Sequence, residues 1–264
     1  MENPDAYYRN KYWWRPWKKW FYLRRIRKWS MDTEKFIDHV REQVDYWNNA
    51  RCEDCIEYYQ SKSDAEKLIT GTCLVNTMMM TNINNILGFT SFATMDLYVM
   101  YEHLIKAKSD VEKNFFARLV CMNIYELTED MTQLLGKDVD KDTGRGYGIR
   151  PIVDNLEDKE LNEDLKELCS KWNLYRKEID KGNKNFSGIR NITVAHKDHD
   201  FVKQYESMKG ISWGQTIRDF EKFHGIFMKT KMFITKLMKV FDGKFKKEIK
   251  EVREIVRTSR KDVD

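Results

Sequence analysis

From Thr33 to Phe241 the apolar residues keep recurring three and four positions apart, and almost nothing in between can stop a helix. This spacing puts them on one face of an α-helix, with the charged residues on the other. Proline, the residue that most strongly ends a helix, occurs only three times, at Pro4, Pro16 and Pro151. No strand-like alternation runs long enough to propose a sheet. The pattern predicts an all-α protein, an elongated helical bundle.

Segment by segment, the expectations are specific. Phe36, Ile37, Val40, Val44 and Trp47 predict a helix from about Thr33 to Tyr59. Asp64 caps a second that stops near Gly88, and a third covers Ser91–Lys106. Ser109-Asp110 restarts the chain into a helix that ends at Gly136. Residues 137–152 read as a plain interhelical loop. Its glycines at 144, 146 and 148 and its Arg145 and Arg150 follow no strand and match no phosphate-binding spacing. A helix over about Glu157–Lys181 follows, then an irregular segment. Ser212 with Gln215 forms a capping box for the last long helix, which runs through Phe241. The domain reading is residues 1–30 as an aromatic and basic arm, 31–243 as the bundle, and 244–264 as a charged tail, a solvated helix that frays at its end.

The charge is lopsided. Net charge is +5, but residues 1–30 carry nine Lys/Arg against two acids, so the remainder is slightly acidic. An overall basic balance therefore says nothing about the body of the protein. Within the arm, Arg15, Trp17, Lys18, Lys19, Arg24 and Arg25 are the candidates for binding. Aromatic faces can stack on bases while cations meet phosphates. The same composition suits a membrane interface or a protein partner. The plain alternative is that the arm folds over its own bundle.

Five cysteines, an odd number, fit free thiols in a reducing, cytoplasmic compartment. Cys52 and Cys55 form a C-x-x-C with no second pair at zinc-site spacing. No signal peptide and no membrane-length apolar run is visible. No cofactor and no metal site is expected. His196, His199 and their aspartates sit too close in sequence to wrap one ion readily. The run Met78-Met79-Met80 reads as core packing.

The chemistry-bearing segment is Ile189–Asp198. Arg190 can fork onto a phosphate and stabilise charge growing there. His196 can move protons near neutral pH. Asn191 can orient either partner, with Lys197 and Asp198 in support. Residues six apart on an ideal helix point about 120° away from each other. Arg190 and His196 therefore converge only in a distorted segment, or where two copies meet across a two-fold axis. The dull reading is a surface arginine and an ordinary interhelical histidine.

The block I-R-N-x-x-x-A-H-x-D between long helices resembles the HEPN superfamily. Its signature is an arginine, a polar residue, a few further residues and a histidine, here Arg190, Asn191 and His196. Ala195 and Asp198 resemble the abortive-infection branch. The resemblance implies a dimeric helical bundle of the HEPN type acting as a metal-independent endoribonuclease in toxin–antitoxin or antiphage settings. RNA is then the substrate, and an antitoxin or defence protein a further partner. Arg190 and His196 would be catalytic, with Asn191 assisting. Asp198 stands where some such toxins carry a tyrosine that is nucleotidylated, so that mode of control is not expected. The alternative function is a non-catalytic helical module that dimerises and binds nucleic acid or a partner through the arm.

Overall fold

A computed structural model of the chain describes residues 3–136, 148–181, 186–191 and 210–261. Among these residues every regular element is helical and none is a strand. Helix α1 (Pro4–Tyr8) passes into a wider π-turn over Arg9–Trp13. Then come α2 (Pro16–Gln60), α3 (Asp64–Lys106), α4 (Asp110–Leu135), α5 (Ile149–Leu156), α6 (Lys159–Ile179), α7 (Phe186–Arg190) and α8 (Trp213–Lys261).

Three helices set the length. α2, α3 and α8 have 45, 43 and 49 residues, so each is roughly 65–75 Å long at about 1.5 Å per residue. Pro16 opens α2 at the one position where its missing N–H costs nothing. Ser61-Lys62-Ser63 turns the chain back, and α3 packs along α2 as an antiparallel hairpin. Ser63 and Ser109 each start a helix through a reciprocal box. The Ser63 hydroxyl accepts from Glu66 N (3.2 Å) while Glu66 accepts from Ser63 N (3.3 Å). Ser109 and Glu112 repeat this at 3.1 and 3.1 Å. α4 lies against α3, and α6 and α7 against α4, while α8 touches α3, α4 and α6.

The core forms where these helices meet. Phe220, Phe223 and Phe227 of α8 interlock with Tyr101 of α3, Ile124 of α4 and Trp172 of α6, all buried. Two of its large side chains have their polar tips paired. Trp172 Nε1 donates to Thr230 Oγ1 (3.0 Å) and Tyr175 OH donates to the Asp219 carbonyl (2.8 Å).

Several expectations need correction. α2 runs unbroken through residue 30, so no boundary separates an arm from the bundle there. Tyr8, Tyr12 and Ile26 are in the core. Gly88 does not stop a helix. It sits inside α3 where α2 comes close, and a methyl group there would meet Val40 Cγ1 at 3.3 Å. The charged tail after Gly243 is helical as expected, and it continues α8 without a break to Lys261. The predicted loop at 137–152 ends earlier, since α5 begins at Ile149 with Pro151 in its first turn. Ser212 does accept from Gln215 N (3.0 Å), but the Gln215 side chain bonds Asp219 instead of reaching back. Of the methionine run, Met80 is buried but Met78 is exposed. The C-x-x-C cysteines lie on α2 as free thiols, Cys52 exposed.

Candidate functional site

Arg190 is the last residue of the five-residue α7, which docks on α4. Its neighbour Ile189 is buried and anchors the turn. The guanidinium is held by two side chains. Nε donates to Glu126 Oε1 of α4 at 2.6 Å, and Nη1 donates to Asn191 Oδ1 at 3.0 Å. About a third of the Arg190 side chain stays exposed. The ion pair itself, with both partners in contact with water, contributes no more than about 1 kcal/mol to stability. Its consequence is orientation, since two bonds on two different nitrogens fix the guanidinium plane.

α4 supplies an acidic setting. Glu126, Glu129 and Asp130 follow one another along it, and Arg176 of α6 pairs with Glu129. Burial raises the Asp130 carboxyl above its usual range, and the carboxylates of Glu126 and Glu129 add to the effect. The Tyr125 phenol is raised by burial, then by Glu129 and Asp180. The structure thus brings together Arg190, Asn191 and Glu126. His196, Lys197 and Asp198 lie outside the described residues. Sequence reading did not find Glu126, because one more acid on an amphipathic helix carries no signal of its own.

The arm residues resolve into two groups. Lys19 is turned inward, with its ammonium 4.8 Å from the Trp13 ring centroid. Its pKa is lowered by burial and by nearby Lys113. Lys113, itself buried, lies between Trp13 and Trp213. Arg24 covers Trp20. Arg15 and Lys18 are exposed, as is Arg25, which also stacks on Trp29 at 4.7 Å. Trp17 is exposed too, beside Trp14, Trp20 and Phe21.

Arg15, Lys18 and Arg25 converge with Lys11 on an open cavity of about 570 Å³. Its aromatic walls are Tyr7, Tyr12, Phe21 and Tyr22. Glu221 of α8 organises the inner wall. It accepts from Tyr8 OH (2.8 Å) and Tyr22 OH (3.3 Å), and Lys11 Nζ lies 3.5 Å from its Oε1. Burial pushes the Tyr22 phenol up to about 12, and the Glu221 carboxylate adds to it. The phenols therefore remain donors at neutral pH. Four cations around flat apolar walls suit an anion that also carries an aromatic face, as a nucleotide does. Lys11 and the tyrosines belong to the same aromatic and basic arm but were not singled out, because only the fold shows which of many aromatics share a wall.

Two further histidines have ordinary surroundings. His39 and His103 are exposed, His103 stacking on Phe116. Glu102, next to it, pairs with Arg27 and Lys106. Among the described residues no group of three His, Cys, Asp or Glu side chains can hold a metal ion. Nor is any described helix long and apolar enough to cross a membrane. Comparison with protein-family models, with curated proteins and with solved structures finds no match.

Proposed function

We propose that this chain is a metal-independent endoribonuclease, with Arg190 as the phosphate-binding group and His196 as the proton carrier. The observation that carries the reading is the double hold on Arg190. Glu126 and Asn191 fix its guanidinium at the head of the segment leading to His196. A fixed, part-exposed guanidinium stabilises charge as it develops, with little reorganisation at the moment of reaction. The resemblance of Arg190, Asn191 and His196 to the HEPN signature supports the same assignment.

The reaction balances without a metal. A neutral imidazole takes the proton from a ribose 2′-hydroxyl. The 2′-oxygen attacks phosphorus, and the bond from phosphorus to the 5′-oxygen breaks. An imidazolium returns a proton to the leaving 5′-oxygen, from His196 or from its counterpart in a second copy. The products are a 2′,3′-cyclic phosphate and a 5′-hydroxyl. Arg190 meets the non-bridging oxygens as they gain charge. A toxin or antiphage effector is the setting that the resemblance implies.

The test is RNA cleavage by the full chain in excess EDTA, with end-group analysis. Cyclic phosphate ends are expected, and Arg190→Ala and His196→Ala should each lower the rate at least a hundredfold with helicity unchanged. Cleavage that persists in His196→Ala overturns the mechanism. A second reading, an RNA-binding module that does not cut, is favoured by one observation, the cationic and aromatic cavity at Lys11, Arg15, Lys18 and Arg25. Binding without cleavage selects it.

A further inference from the structure

Helix α3 is wrapped by its own chain almost everywhere. From Asn76 to Tyr98 its residues are buried or half-buried, except on one line. That line steps by three and four: 68, 71, 75, 78, 82, 85, 89, 92, 96, 99. Six of its members are large apolar side chains left between 39 and 56% exposed, namely Leu68, Val75, Met78, Phe89, Phe92 and Val99. Asn82 and Asn85 stand at its centre. An alternation of three and four is the seam by which one helix packs on another helix, not the face of a lone surface helix.

The line is also self-complementary. Turned by a two-fold axis between Ile83 and Asn84, an antiparallel second copy sets Leu68 against Val99, Val75 against Phe92 and Met78 against Phe89. Asn82 then meets Asn85, so the one polar layer finds its amide partners at the axis. Asp96 falls opposite Gly71, one turn from Lys67. Every apolar residue meets an apolar one and every amide an amide. A parallel pairing, whose two-fold axis runs along the helices, stacks each residue on itself and so sets Asp96 against Asp96, whereas the antiparallel pairing keeps the two carboxylates apart.

We propose that α3 is a homodimer interface, an antiparallel helix pair formed with a second copy of this chain. Two-fold symmetry requires the same patch on both subunits, and this seam meets that requirement residue by residue. Six roughly half-exposed apolar side chains give on the order of 500 Å² per copy. The pair therefore removes on the order of 1,000 Å², the threshold for a specific interface. A groove of about 520 Å³ beside Leu68, Gly71 and Val75, closed on its far side by Phe241 and Phe245 of α8, adds a place for Phe92 of the second copy. The paired asparagines fix register and orientation, as a single polar layer does in a coiled coil. The interface uses none of the contacts of Arg190, and it stands whether or not the chain cleaves RNA.

Sedimentation equilibrium of the full chain tests the proposal. Twice the 31.9 kDa chain mass, or an even multiple of it, is expected at micromolar concentration. Met78→Glu with Phe89→Glu should raise the dissociation constant at least a hundredfold and leave the helical circular dichroism intact, because both side chains are exposed in one copy. Orientation is read by oxidation in a Cys52→Ser background. A Val75→Cys chain mixed with a Phe92→Cys chain should form the mixed disulfide. Val75→Cys alone should not cross-link, since the two copies of residue 75 lie about 25 Å apart along the axis. A monomer at tens of micromolar, a mass unchanged in the double variant, or self-cross-linking of Val75→Cys overturns the proposal.

Discussion

The imidazole of His224 lies flat on the indole of Trp29, with ring centroids 4.4 Å apart and planes within 22°. Tyr98 and Phe220 close in from two sides. Burial in this aromatic sleeve, with lesser help from the cations of Arg25 and Lys231, lowers the His224 pKa from 6.5 to about 4. The unfolded chain takes up the proton near 6.5 and the folded chain only near 4. Stability from this residue is therefore complete above pH 6.5 and drains away as pH falls towards 4, by about 2–3 kcal/mol in all. Replacing the ring by His224→Phe should flatten the melting temperature between pH 6.5 and 4. A slope equal to that of the parent protein would contradict this.

Lys231 of α8, directly after the Thr230 that bonds Trp172, bears its cost at neutral pH instead. Its ammonium lies 4.5 Å from the Phe36 ring centroid, and burial lowers its pKa to about 8. The folded state holds this charge less readily than the unfolded chain does. The cost is at its full value below pH 8 and fades as pH rises towards 10.5. At pH 7, Lys231→Met should raise stability by about 1 kcal/mol, the cation–π contact offsetting part of the gain. Calorimetry showing a lower melting temperature would rule this out.

The start of α8 is clasped by the start of the chain. Asp5 Oδ1 accepts from Ser212 Oγ at 2.6 Å and from Gly214 N at 2.7 Å. A methyl group on Gly214 would lie 2.5 Å from the backbone carbon and oxygen of Pro4, so only glycine admits this approach. Gly214→Ala should cost about 2–3 kcal/mol in denaturant unfolding, and Asp5→Ala about 1–2 kcal/mol. If both variants unfold like the parent, the clasp does not form.

Salt dependence reports on the cationic cavity. Each phosphate neutralised on a single strand adds about 0.7 to the slope of log affinity against log salt. Arg15→Ala, Lys18→Ala and Arg25→Ala together should lower that slope by about 2 for a single-stranded RNA followed by fluorescence anisotropy. Lys19→Ala, at a cation already engaged with Trp13, should leave it unchanged. Equal slopes for the triple variant and the parent would remove the cavity from RNA binding.

Helix content and the Ser109 start were legible in the sequence, because periodicity and capping are local. Ser63, one residue before the expected Asp64, was within reach of the same rule. Gly88 was misread for a physical reason. Glycine at a helix end and glycine where a neighbour presses close look alike until the neighbour, here Val40, is known. The separate arm failed similarly. Tyr8, Tyr12 and Ile26 sit among charges in sequence, and only the packing of α1 on α8 and of α2 on α3 explains why they are buried. At the candidate site Arg190 and Asn191 stood out by type and spacing. Glu126, 64 residues earlier, meets them only through the packing of α7 on α4.

The bond between Tyr8 and Glu221 joins residues 213 positions apart. During synthesis, Tyr8 leaves the ribosome more than two hundred residues before the α8 surface that its hydroxyl bonds exists. Tyr12 and Trp13 already have Tyr22 and Ala107 as partners, but the faces of Tyr8 and Trp13 that meet Glu221 and Trp213 wait for α8. A nascent chain halted before residue 213 would therefore still display the α8-facing side of Tyr8 to any chaperone nearby.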